Sequence, residues 1–325
     1  MIRNVLVTGG AGYIGSHVCK ALQGAGINPI SFDNYSRGHR EFVQWGPGEE
    51  GDIQDTDLVE AILKKHKVNA VIHMAGFAYV GESIKNPLTY FDNNVSGSVS
   101  LLKAICRAGI KHMVFSSSCA TYGVPDELPI DEDSRQKPIN PYGYSKLMVE
   151  DILKDLSETG LMSSVSLRYF NAGGADPKLE IGEKHDPETH LVPLVIQATE
   201  INGNPIRVFG DDYPTKDGTC IRDFIHVTDL ADAHVRALQY IENNKGAHFF
   251  NLGTGVGSSV LDVIKTAEKI TGKPVRRTID PRRPGDPPVL VADYVKAKKE
   301  LGWVLNHSNL YEIVETAYRW EEKNK

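Results

Sequence analysis

Val7-Thr8-Gly9-Gly10-Ala11-Gly12-Tyr13-Ile14-Gly15 is the stretch on which the reading of the whole chain turns. Its glycines fit two spacings at once, Gly9, Gly12 and Gly15 as GxxGxxG, or Gly10, Gly12 and Gly15 as GxGxxG. Glycine at such positions permits a tight turn and lets the backbone approach a pyrophosphate, which then meets the amide-rich start of a helix. Alone the motif is weak, and its flanks give it weight. Residues 5–8 read as a fully buried strand and residues 13–22 as a helix. The next strand ends at Phe32 and Asp33, which puts a carboxylate 18 residues after Gly15. That is close to the ~20 residues at which an acid meets the adenine ribose hydroxyls of a dinucleotide. The same charge would repel a 2′-phosphate, so NAD is favoured over NADP, while Arg37 and Arg40 nearby keep NADP open.

Outward from this turn, strands and helices alternate. Residues 69–74, 112–117 and 165–169 read as buried strands, with helical patterns over 58–66, 88–108 and 142–156. The alternation predicts an α/β fold, a Rossmann-type doubly wound parallel sheet with helices on both faces. Its regularity fades after about Ala175, where residues 173–190, rich in Gly, Pro and charge, suit a loop into a second, smaller α/β substrate domain. The expected division is a nucleotide-binding domain over 1–175 and a substrate domain over 176–325, with later segments near 222–252 packing back on the first. Polar, turn-rich stretches at 210–219 and 280–288 are separated by helical patterns at 229–241 and 260–270, and residues 249–252 read as a strand returning to the first sheet. There is no internal repeat and no low-complexity tail.

At 325 residues the chain is long enough for two domains of ~100 to 200 residues each. A formal charge of -6 disfavours a nonspecific binder of nucleic-acid backbones, so a small-molecule partner is expected. Cys19, Cys106, Cys119 and Cys220 are scattered, with no metal-ligand spacing and no disulfide framework, and no metal is expected. Scattered thiols, no signal-peptide pattern and no apolar run of membrane-spanning length give the expectation of a cytoplasmic chain that does not engage a membrane.

The second informative stretch is Asn140-Pro141-Tyr142-Gly143-Tyr144-Ser145-Lys146. On a helix, Tyr142 and Lys146 fall on one face, where a fixed ammonium favours phenolate over phenol. Free tyrosine, with a pKa of about 10, is a poor base near neutrality. Lowered by the lysine and by an oxidised nicotinamide ring, such a phenol can take a proton from an alcohol while the nicotinamide accepts hydride from the same carbon. Ser118, at the end of the strand that starts at His112, is placed to hydrogen-bond the hydroxyl and pass its proton on.

Together the glycine turn, Ser116-Ser117-Ser118 and the Tyr142/Lys146 pair resemble the extended branch of the short-chain dehydrogenase/reductase superfamily. His73-Met74-Ala75-Gly76, Val80-Gly81-Glu82-Ser83, Asp92-Asn93-Asn94-Val95, Leu167-Arg168-Tyr169-Phe170-Asn171 and Arg222-Asp223-Phe224-Ile225-His226-Val227 narrow the resemblance to the UDP-glucose 4-epimerases. The resemblance implies an NAD-dependent enzyme that inverts C4 of a UDP-sugar through a 4-keto intermediate, with UDP-glucose and UDP-galactose as the expected pair. Tyr142, Lys146 and Ser118 would be catalytic. Cofactor contacts would fall on Gly9, Gly12, Tyr13, Ile14, Gly15, Asp33, Asn34, Asp52, Ile53, Ala75, Asn93, Ser118, Tyr142, Lys146 and Phe170. Sugar-nucleotide contacts would fall on Ser118, Tyr142, Asn171, Leu191, Phe209, Arg222, Arg283, Asp286 and Leu290. The arginines suit a diphosphate, which calls for charge-assisted, bidentate donors. The helical patterns at 88–108 and 142–156 resemble the pair that forms a four-helix homodimer interface in the family.

Alternatives stay open at this level. Sugar-nucleotide 4,6-dehydratases carry an acidic residue after the serine strand, where this chain has Ser118-Cys119-Ala120-Thr121-Tyr122, which disfavours them. The runs from Ala78 to Ser83 and around Ser118 and Tyr142 also resemble the UDP-xylose (UDP-arabinose) 4-epimerases. Ala78 stands where some members place a lysine against the cofactor, and Leu290 where others place a tyrosine that helps decide whether an N-acetylated sugar fits, so a UDP-N-acetylhexosamine substrate is a further alternative. A noncatalytic nucleotide sensor is the reading from another class, and the Tyr142/Lys146 pair speaks against it.

Overall fold

A computed structural model describes residues 2–283 and 286–325. The chain runs β1 (Asn4–Thr8), α1 (Tyr13–Gly24), β2 (Asn28–Asp33), β3 (Gly48–Glu50), α2 (Thr56–Lys65), β4 (Ala70–His73), α3 (Val80–Lys85), α4 (Pro87–Tyr90), α5 (Gly97–Arg107), β5 (His112–Ser118), α6 (Pro141–Glu158), β6 (Ser163–Tyr169) and β7 (Asn171–Gly173). It continues through α7 (Leu191–Gln197), β8 (Ile206–Phe209), β9 (Ile221–His226), α8 (Val227–Ile241), β10 (Ala247–Leu252), β11 (Gly257–Ser259), α9 (Val260–Thr271), β12 (Arg277–Asp280), β13 (Val289–Leu290), α10 (Val295–Glu300) and α11 (Leu310–Lys323).

Seven strands form one parallel sheet in the order β10-β6-β5-β4-β1-β2-β3. Successive residues of a strand face opposite sides, so a sheet covered on both faces needs an unbroken apolar run. In β1, Val5 and Val7 pack with Val18 and Leu22 of α1 and with Leu230 and Leu238 of α8. Leu6 packs on the other face with Leu101 and Ile105 of α5 and Val149 and Leu153 of α6. The strand order reverses between β1 and β4, where Thr8 lies opposite His73 and their side chains share a hydrogen bond of 2.8 Å. Ligands of doubly wound sheets bind at the carboxyl ends of the strands beside such a reversal.

Residues 249–252 do return to the first sheet, as part of β10 paired with β6. The stretch after α10 returns as well, since Leu301 and the fully buried Trp303 join the core under β10 and α8. A separate core joins β8 and β9 to α7, α9 and α11. Short strands escaped the sequence reading because three or four residues carry no period; β3 is Gly-Glu-Glu, a polar edge strand. The turn-rich stretch expected at 280–288 includes residues 284 and 285, which lie outside the described residues. Among the described residues no helix is long and apolar enough to cross a membrane.

The helix expected over 88–108 is not uniform. Between α4 and α5, residues Phe91–Ser96 form a π-helical turn, with both flanking residues still in right-handed helical geometry. Such wide turns recur at functional sites because they re-aim side chains. Here Asn94 turns inward to accept from the Phe77 amide at 2.8 Å and to donate to Ser145 Oγ at 3.0 Å.

Candidate active site

One continuous cavity of about 1690 Å³ runs from the carboxyl ends of β1 and β4 to the tip of β9. Every site residue expected from the sequence lines it except Asp52. That carboxylate instead accepts from Asn34 Nδ2 at 2.8 Å, so it holds a lining residue from behind.

The glycines resolve the two spacings. Gly9 has φ +69°, and a Cβ there would come within 2.7 Å of the Ala75 amide nitrogen. A Cβ at Gly15 would sit 2.0 Å from the Gly9 carbonyl oxygen. Gly10 is tight for a different reason: its Cβ would meet Ser31 Oγ of β2 at 2.6 Å, and it does not line the cavity. Gly12 caps α1 with no side-chain bond, and the first turn carries no acid, so this helix start is left to a ligand anion. Asp33 is buried and accepts from the Ala11 and Tyr35 amides at 3.0 and 2.9 Å. Burial raises its pKa and those amides pull it back down. Arg37 is engaged with Glu82 at 3.0 Å and Arg40 with Glu50 at 2.7 Å, so both cations that kept a 2′-phosphate open already have carboxylate partners. A cradle that any Cβ would fill, a bare helix start and a carboxylate at the end of β2 fit NAD. The side chain of Tyr13 points away from the turn, donating to the Gly174 carbonyl, which leaves its backbone to face a cofactor.

Asn140 caps α6 by accepting from the Gly143 amide at 2.9 Å, and Pro141 opens its first turn. Tyr142, Lys146 and Glu150 then fall on one buried face at four-residue spacing. Lys146 Nζ donates to the Ser116 carbonyl at 2.8 Å and lies 5.0 Å over the Phe115 ring. Burial brings its pKa down to about 8, against the pull of Glu150. The depression expected for the Tyr142 phenol counts on an oxidised nicotinamide ring as well as on the lysine, and the protein's own groups act in the other direction. Burial, with a contribution from Tyr169, raises its pKa well above the ordinary value, and only a hydrogen bond with Ser118 draws it the other way. The Lys146 ammonium is bonded to a strand carbonyl and stands 5.8 Å from the centre of the phenol ring.

At the other end, Asn171 opens β7, Leu191 opens α7 and Phe209 closes β8. Arg222 pairs with Asp286 and donates to the Ile221 carbonyl. Arg283 stacks its guanidinium 4.0 Å over the Phe209 ring, and Arg207 lies 5.0 Å from the same ring. Leu290 packs beside Phe170 and Tyr122. Tyr169, hydrogen-bonded to Ser116 Oγ, together with Tyr79 and Arg207, also lines the cavity and was not singled out from the sequence. Nor were Glu183, His185, Glu188 and His190, which line the cavity from the segment read as a connector. Their signal was two histidines and two glutamates within eight residues. The four cysteines are free, and burial pushes the Cys119 thiol up to about 12.

Residues 5–253 match the NAD dependent epimerase/dehydratase family. A UDP-glucose 4-epimerase of Rhizobium leguminosarum bv. trifolii is 50% identical over 320 residues, covering 98% of each chain. The solved structure of a UDP-glucose 4-epimerase from Brucella ovis in complex with NAD is 48% identical, with a TM-score of 0.95 over 98% of each chain. That of Bifidobacterium longum, in complex with NAD+ and UDP, is 40% identical with a TM-score of 0.94, over 99% of this chain and 98% of its own.

Proposed function

The chain belongs to the NAD dependent epimerase/dehydratase family, and from that premise we propose that its cavity interconverts UDP-glucose and UDP-galactose. It is an enzyme, an NAD-dependent epimerase that inverts C4 of a UDP-sugar. The observation that supports the assignment of roles is that Ser118, Tyr142 and Lys146 line the same cavity as the glycine cradle and the two arginines.

In this proposal Tyr142 takes the proton of the sugar 4-hydroxyl, with Ser118 hydrogen-bonded to the same oxygen as relay. NAD, when bound, supplies a cationic ring beside the phenol and takes up and returns the C4 hydrogen with its electron pair. Lys146, fixed by the Ser116 carbonyl, holds positive charge where phenolate develops. Arg222 and Arg283 grip the diphosphate, so the sugar is free to present either face of its flat 4-keto form. Tyr142 then returns the proton, and no net oxidation occurs. Gly9, Gly12, Tyr13, Ile14 and Gly15 would cradle the cofactor pyrophosphate and Asp33 its ribose.

Incubating the NAD-loaded protein with UDP-galactose and following both isomers tests the reading. Approach to one equilibrium mixture from either sugar is expected, and failure to convert either one overturns it. Three further parts belong to the same proposal. Residues 1–175, with α8 and β10 packed on them, act as the nucleotide domain, and 176–325 supply the substrate side. Exposed Ile84, Leu88, Tyr144 and Met148 on or beside the touching helices α3, α4 and α6 support a homodimer, which a monomer mass by light scattering would contradict. Four free, scattered thiols support residence in the cytoplasm.

A further inference from the structure

Between β7 and α7, Glu183, His185, Glu188 and His190 bring one ligand atom each within 4.8 Å of all the others. His185 Nδ1 lies 3.3 Å from Glu183 Oε1 and 3.5 Å from Glu188 Oε2. His190 Nδ1 lies 2.7 Å from Glu183 Oε1 and 3.3 Å from Glu188 Oε1. A tetrahedral ion with bonds of ~2.0 to 2.1 Å holds its ligand atoms about 3.3 Å apart, so four groups already within 4.8 Å of one another need only small side-chain shifts to surround it.

The polar bookkeeping points the same way. Buried polar atoms nearly always have a hydrogen-bond partner. Yet both Nδ1 atoms and Glu183 Oε2 have none, although Glu183 is only 6% exposed and carboxylates crowd both rings. Two carboxylates and two imidazoles that face a shared centre without a well-aligned hydrogen bond between them form an arrangement that a cation resolves, displacing the protons of the imidazoles as it binds. The surroundings are built as well: Glu188 Oε1 accepts from the Thr189 and His190 amides at 2.7 and 2.8 Å, and the Trp320 indole donates to the Glu183 carbonyl at 2.9 Å. Such outer bonds fix the orientation of ligating groups.

We propose that Glu183, His185, Glu188 and His190 form a structural site for one divalent transition-metal ion, zinc by the chemistry of the donors, which fixes the shape of the loop before α7 where it walls the cavity. Two imidazoles favour zinc over magnesium or calcium, whose sites are built from oxygen. Four protein ligands leave no open position, which is the mark of a structural ion and not a catalytic one. Proton transfer and hydride return at C4 need no Lewis acid. What the ion does is positional. His190 is the residue that precedes α7, so its coordination sets where Leu191 enters the cavity. The imidazole of His185 meets the edge of Tyr13 at the start of α1, with ring centres 6.1 Å apart, and Tyr79 lies against both imidazoles.

The test uses the whole NAD-loaded protein, incubated with Zn²⁺, dialysed against metal-free buffer and assayed by elemental analysis. One zinc per chain is expected for the wild type and almost none for the His185→Ala/His190→Ala variant, whose retained NAD reports that it has folded. Cobalt exchanged into the wild type should give the intense visible absorption of four-coordinate Co²⁺. A chelator should lower the thermal midpoint of the wild type and leave the variant unmoved. A wild-type chain that holds no zinc after loading overturns the proposal whether or not the variant folds. So does equal zinc in the two proteins, or a weak six-coordinate cobalt spectrum.

Discussion

The Lys146 ammonium stands 5.8 Å from the centre of the Tyr142 ring and is bonded to the Ser116 carbonyl, not to the phenol. Lysine therefore faces the tyrosine without bonding to it, and burial is the largest influence on the phenol. Tyr142→Phe should cut turnover by the ~100- to 10,000-fold typical of an acid-base group while NAD stays bound. Undiminished turnover would remove Tyr142 from its role.

Lys146→Met separates activity from stability. Burial lowers the Lys146 pKa from 10.5 to about 8, so near pH 7 the fold carries the cost of a buried ammonium, offset in part by its bond to Ser116. Losing that bond costs about 1 to 3 kcal/mol, similar to the desolvation relieved. The variant should lose most of its turnover and keep its unfolding midpoint. A clear drop in the midpoint by calorimetry would show that the charge stabilises the fold.

Acid should weaken the fold through buried imidazoles. Burial lowers the pKa of His73 and His226 to about 3 and of His17 and His234 to about 4, from 6.5. As pH falls through that window the unfolded chain takes up protons that the folded chain refuses, so stability drops. Asp33 and Asp223, raised by burial, act in the opposite sense at lower pH. For His234 alone the loss reaches roughly 3 kcal/mol at 1.36 kcal/mol per pKa unit. Denaturant midpoints measured from about pH 7 to pH 5 should decline, and less steeply in His234→Gln.

Glu150→Ala should be severely destabilising. Arg168 makes three contacts to the Glu150 carboxylate, and both side chains are buried. Removing one partner of a buried pair leaves a stranded charge and costs about 3 to 5 kcal/mol. Urea unfolding measures it, and a change under about 1 kcal/mol would contradict the argument.

Arg283→Ala should weaken UDP binding roughly 10- to 100-fold, the worth of charge-assisted bonds to a diphosphate, without loss of NAD. Isothermal titration with UDP decides it. Equal affinity would take Arg283 out of the nucleotide site.

The alternating elements were legible because Val5, Leu6 and Val7 are buried on both faces, and because Gly9, Gly15 and Asp33 each answer a local backbone or charge requirement. What stayed hidden is non-local. The π-turn at Phe91–Ser96 keeps a helical sequence pattern and is told apart only by what Asn94 reaches. Tyr142 sits at the right helical spacing from Lys146, yet the ammonium's own partner, the Ser116 carbonyl, is a strand away, and no spacing in the sequence discloses it. Glu183 and His190 read as loop residues because their meeting depends on how α1, α7 and Trp320 wall them in.

β10 closes β6 from the far side of a long excursion. During synthesis the open edge of β6, complete at Tyr169, must wait for Leu252 before it is sealed. At ~5 to 20 residues per second that wait lasts roughly 4 to 16 seconds. Throughout it the nascent chain displays an unpaired row of β6 amides and carbonyls, a template for self-pairing between neighbouring copies on one messenger.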